Sequence, residues 1–148
     1  MNGDHRGGAA VAQLTEMPAL ESAAVLCLRI WCDSEAGQRR EGFATSFAHL
    51  GGDIALEAVG HLCQLCLSYG RRPLMRHAVD CPCVGGDEAC LAHMIAAATS
   101  GERDDAMMLA CLMMRADFAP TAVHLAECAG VALARIAHAR AHGVQAVH

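Results

Sequence analysis

The sequence predicts an all-α fold: a compact bundle of five or six helices with an Ala-rich core and one Cys-rich loop between the third and fourth long helices. Two observations lead there. Hydrophobic residues make up 54% of the chain and aromatic ones only 3%, so the core must be built from Ala, Leu, Val, Met and Cys. Ala has the best helix propensity, whereas sheets favour β-branched and aromatic residues. Apolar residues also recur at helical spacing between short stretches of Gly, Pro and Asp that suit helix ends. A length of 148 residues fits one domain able to bury a core without staples.

Residues 1–17 are rich in Gly, Ala and polar side chains and read as a disordered or poorly ordered N-terminus. Pro18 suits the first turn of a helix over residues 18–35. Leu20, Ala24, Cys27, Leu28 and Trp31 form its apolar side, with Trp31 as a packing anchor. A turn over 33–37 leads to a second helix, 38–50, with Phe43, Phe47 and Leu50 on one side. Gly51 and Gly52 stop it, and Asp53 is a good N-cap for a third helix reaching Tyr69. Its stripe is Ile54, Ala58, Leu62, Leu65 and Tyr69. Gly70 suits the position after the helix, with Pro73 beyond it.

Residues 71–80 form a connector into the Cys-rich loop. Asp87 can cap a fourth helix over 88–99. Ser100 and Gly101 separate it from a fifth, 102–115, whose acidic first turn suits the helix dipole. Pro120 can open the last helix, which runs to His142 and leaves 143–148 as a frayed tail. The single helical domain is thus expected over 18–142.

The stretch most suggestive of chemistry is residues 77–93, HAVDCPCVGGDEACLAH. Sulfur and imidazole are the preferred ligands of structural zinc, which takes about four of them. Cys90 and His93 are spaced i, i+3 on the expected fourth helix and share a face. Cys81 and Cys83 can join them if the chain turns at Pro82. The candidate zinc set is therefore Cys81, Cys83, Cys90 and His93, with His77 in reserve. An iron–sulfur cluster is the second cofactor and a metal-free loop the third possibility. Arg71, Arg72 and Arg76 form a candidate patch for an anion or an acidic partner.

Other features have plainer readings. Cys63 and Cys66 form a CxxC inside a helix, where buried packing is the expectation. Met107, Met108, Cys111, Met113 and Met114 read as a flexible core stripe rather than soft copper(I) ligands. No Glu-x-x-His occurs, which argues against a di-iron bundle.

All eleven cationic residues other than His are Arg. Lysine-dependent chemistry, such as a Schiff base or a P-loop, is therefore excluded within this chain. A net charge of −5 argues against general nucleic-acid binding. No apolar run suggests a membrane span or a signal peptide, so a cytoplasmic protein is expected, with its nine cysteines reduced. No motif of a known catalytic class is present, which makes an enzyme the minority reading. The leading expectation is a small helical binding or regulatory protein with structural zinc at the loop. The alternatives are a thiol or iron–sulfur redox sensor and a metal-free interaction module. A protein partner or a homodimer seam on the Ala-rich last helices fits any of them.

Overall fold

The computed structural model describes residues 7–33 and 37–146, with side chains as far as Ala141. The described residues form an all-α bundle of six helices: α1 (Ala19–Cys32), α2 (Gly37–Ser46), α3 (Gly52–Tyr69), α4 (Gly86–Thr99), α5 (Arg103–Met113) and α6 (Ala119–Ala146). The long α6 packs along α3, while α4 packs against α1, α5 and α6. Val25, Leu28, Val59, Leu62, Leu91, Met94, Ile95, Leu133 and Ile136 fill the centre, interleaved with a dozen or more buried alanines. The Cys-rich loop joins α3 to α4, as the sequence implies.

Small residues set the helix crossings. A Cβ at Gly60 would overlap the Trp31 indole, and one at Gly130 would overlap the Thr99 side chain. Glycine therefore lets α3 meet α1, and α6 meet α4, at closer range than any other residue.

Several boundaries differ from expectation. Helix α2 stops at Ser46, and a 3-10 turn over Ala48–Leu50 follows. There the Phe47 carbonyl accepts both the Leu50 and the Gly52 N–H. Gly51, at φ 85°, makes the reversal. Asp53 and Asp87 lie inside the first turns of α3 and α4 rather than capping them. Helix α6 continues to Ala146, past the point where fraying was expected. Residues 34–36 of the anticipated turn, and the final residues 147–148, lie outside the described residues.

The main correction concerns the N-terminus. Residues 1–6 lie outside the description, but Ala10–Gln13 form a strand, β1, antiparallel to β2 at Cys83–Gly85. The register pairs Ala10 with Gly85, Ala12 with Val84 and Gln13 with Cys83. Two further backbone bonds extend the contact, Leu14 N–H to the Pro82 carbonyl and Gly86 N–H to the Ala9 carbonyl. Val84 is wholly buried, so its stretch of backbone needs internal partners. The N-terminal segment supplies them. A four-residue strand reading AVAQ has no alternation long enough to be recognised in sequence.

No helix among the described residues is long and apolar enough to cross a membrane.

Candidate functional site

The Cys-rich loop is built around one side chain from outside it, on α1. Arg29, in the middle of α1, is completely buried. Its Nε donates to Glu88 Oε2 at 2.6 Å and its Nη2 to Glu88 Oε1 at 3.0 Å. Nη1 donates to the Cys81 carbonyl at 2.7 Å, and Nη2 also donates to the Cys83 carbonyl at 2.5 Å. Glu88, equally buried, accepts the Gly85 N–H through Oε1 at 3.0 Å. This last bond satisfies one of the orphan N–H groups at the start of α4. No buried side-chain nitrogen or oxygen among the described residues lacks a partner. A bidentate pair with both ions desolvated persists only when its remaining bonds are satisfied.

The candidate metal ligands face different directions. Cys81 lies in a turn closed by its N–H on the Ala78 carbonyl, with Sγ 3.5 Å from His77 Nδ1. His77 Nε2 is 2.7 Å from the Gly8 carbonyl, which fixes the proton on Nε2 and leaves Nδ1 to accept from the thiol. Cys83 begins β2 and accepts from Gln13 Nε2 at 3.7 Å. The Cys90 thiol points at the Leu109 carbonyl on α5, 3.9 Å away. His93 Nδ1 lies 3.3 Å from Glu21 Oε1 on α1. The structure therefore brings together only Cys81 and His77, the first candidate and the reserve one. Cys90 and His93 share a helix side but differ by about 60° and one turn's rise, enough to send one to α5 and the other to α1. Among the described residues no group of three or more His, Cys, Asp or Glu side chains is arranged to hold a metal ion.

The three arginines of the candidate patch are also separated. Arg72 forms a bidentate pair with Asp87, at 2.9 and 2.5 Å, and Asp87 also accepts the Met75 N–H at 2.8 Å. Gly7 lies so close over this pair that a side chain there would overlap both groups. Arg71 donates to the Cys111 carbonyl, and Arg76 to the Cys32 carbonyl at 3.0 Å. Each tethers a different strip of backbone. Beneath the Arg72–Asp87 pair lies a cavity of about 350 Å³, lined in part by Cys66 and Cys90. Burial, followed by the nearby Asp87 charge, raises the Cys90 thiol above its usual range, with Arg72 opposing. Burial pushes Cys66 up to about 12, with Cys90 and Asp87 adding to it.

A second and larger concavity lies where α1, α4 and α5 meet. It is a groove of about 500 Å³ floored by Ala96, Ala97 and Leu109 and flanked by the exposed Met108 and Leu112. Glu21, Glu102 and Asp105 stand around it, with His93 beside Glu21. In sequence Glu102 and Asp105 read as part of a solvated acidic first turn, and only the packing of three helices brings Glu21 to the same groove. For Arg29 a signal did exist: a lone cation inside the apolar run AAVLCLRIWC. Such a residue has to find a buried partner.

No protein-family model, curated protein or solved structure matches the chain.

Proposed function

We propose that the chain is a small helical binding protein whose ligand lies in the groove between α1, α4 and α5. The observation that carries this reading is the set of three carboxylates, Glu21, Glu102 and Asp105, around an apolar floor. About 500 Å³ is within the range of small-molecule sites. Carboxylates at the rim favour a cation through charge-assisted hydrogen bonds, and the chain's net charge of −5 attracts one from a distance. The ligand class is therefore an apolar body bearing an amine or guanidine. The reading includes a cytoplasmic setting, which nine unpaired cysteines suit. Zinc does not enter it, because Arg29 already holds the loop and the four candidate ligands meet separate partners.

The test is a titration with aryl-alkyl amines and their matched carboxylic acids, read at the Met108 methyl by NMR. Amines should shift that resonance and acids should not. Glu102→Gln with Asp105→Asn should weaken amine binding by about tenfold or more, the worth of a charged hydrogen bond. Equal binding of the acids, or a silent Met108, would refute the reading.

A further inference from the structure

One thiol of the Cys-rich loop stands beside a base whose orientation is fixed from a distant part of the chain. Cys81 Sγ lies 3.5 Å from His77 Nδ1. His77 Nε2 lies 2.7 Å from the carbonyl of Gly8, just before β1. A carbonyl only accepts, so Nε2 carries the proton and Nδ1 offers its lone pair to the thiol. The ring is seated against Gly85 of β2, where an added Cβ would come within 3.1 Å of its Cδ2 and 3.2 Å of its Nε2. The backbone that carries the thiol is held too. The Cys81 N–H bonds the Ala78 carbonyl, and its carbonyl accepts from the buried Arg29 Nη1 at 2.7 Å. Cys81 itself is only half-buried, and Asp80 and Pro82 on either side of it are exposed.

Helix α6 carries the same two residue types at the same spacing. His124 and Cys128 are also four positions apart, but Nε2 and Sγ are 3.9 Å from each other and Cys128 is exposed. What the loop pair adds is a shorter approach and a ring held by Gly8 and Gly85. A nucleophile whose base is oriented by a third group is the recurring arrangement of covalent chemistry.

We propose that Cys81 is a covalent addition site for small α,β-unsaturated carbonyl compounds, with His77 as the base that carries its proton. Such an acceptor needs what the pair offers, a nucleophilic sulfur and a proton to return. The Cys83 sulfur faces Gln13 Nε2 at 3.7 Å, so the loop presents one thiol with a base rather than two thiols set to join.

The step balances within the pair and the acceptor. As Cys81 Sγ bonds to the β-carbon, its proton passes to His77 Nδ1 and the π electrons shift onto the α-carbon and the carbonyl oxygen. The Gly8 carbonyl keeps its bond to Nε2–H while the ring is positively charged. The Nδ1 proton then goes to the α-carbon. S–H has added across the C=C bond; nothing is oxidised and no group leaves.

The test gives the full reduced chain less than one equivalent of N-ethylmaleimide at neutral pH. Remaining thiols are then alkylated with iodoacetamide under denaturing conditions before tryptic mapping. The ratio of the two labels at each cysteine gives its relative rate. Without lysine, trypsin cuts only at Arg, so Cys81 falls in residues 77–103 and Cys128 in 116–135. Fragmentation separates Cys81 from Cys83 and Cys90. Cys81 should react about tenfold or more faster than Cys128, against their order of exposure. In His77→Gln, whose amide can still donate to Gly8, the Cys81 rate should fall about tenfold or more while that of Cys128 holds. First reaction at any other cysteine, or a Cys81 rate unchanged in the variant, would overturn the proposal. The wild-type order decides alone if His77→Gln fails to fold.

Discussion

Two groups of cysteines invite comparison. In the loop, Cys81, Cys83 and Cys90 sit within ten residues of one another, yet their sulfurs meet an imidazole, a side-chain amide and a backbone carbonyl. At the α1–α3 crossing, Cys32 and Cys63 are thirty-one positions apart, yet Cys63 lowers the Cys32 thiol and Cys32 raises the Cys63 thiol. The loop is held by polar bonds that converge on one guanidinium, and these turn its carbonyls inward and leave its sulfurs to find separate partners. The helix crossing is held by the fit of an indole against a glycine, and that fit aligns whatever side chains come next. Closeness in sequence therefore says little about sulfur chemistry here; what each backbone is anchored to decides it.

The comparison can be broken at its strongest point first. Arg29→Met should cost about 3–5 kcal/mol in urea denaturation, because it strands a buried Glu88 carboxylate. It should also speed amide exchange in both β1 and β2, since the Cys81 and Cys83 carbonyls lose their donor. Adding Glu88→Leu should recover only part of the loss, as those carbonyls and the Gly85 N–H stay unpaired. A loss below about 1 kcal/mol for the single variant would mean that something other than this pair holds the loop.

A smaller change tests the other region. Gly60→Ala places a methyl group against the Trp31 indole and should cost about 1–3 kcal/mol by overpacking. It should also change the alkylation rate of Cys32, the residue after Trp31, while leaving that of Cys81 and Cys83 unchanged. An unchanged Cys32 rate in a stably folded Gly60→Ala chain would show that the crossing does not reach this thiol. The smallest expected effect is that of a chelator. If Arg29 rather than zinc secures the loop, excess EDTA should leave Tm where it was. A fall of several degrees would restore the zinc reading of Cys81, Cys83, Cys90 and His93.

Much of the helical framework was legible before the structure. The α3 and α6 elements, the break at Ser100 and Gly101, and the placement of the Cys-rich loop all follow from periodicity and helix-end residues. The expectation that Cys63 and Cys66 pack in the interior also agrees with their burial. The β1–β2 ribbon was not legible, because its strands are four and three residues long and derive their order from each other. The groove was not legible either, since Glu21 lies on α1 and Glu102 and Asp105 flank the start of α5.

The sequence by itself determined that this chain folds as helices. Ala-rich periodic segments, scarce aromatics and well-placed glycines are local properties, and helix hydrogen bonds are local too. Only the tertiary structure decided which side chains meet. Arg29 reaches Glu88 across fifty-nine positions, and Trp31 reaches Gly60 across twenty-nine. Such pairings depend on the angle and depth at which helices pack, and Trp31 on Gly60 sets one of those depths through contacts that no spacing rule encodes.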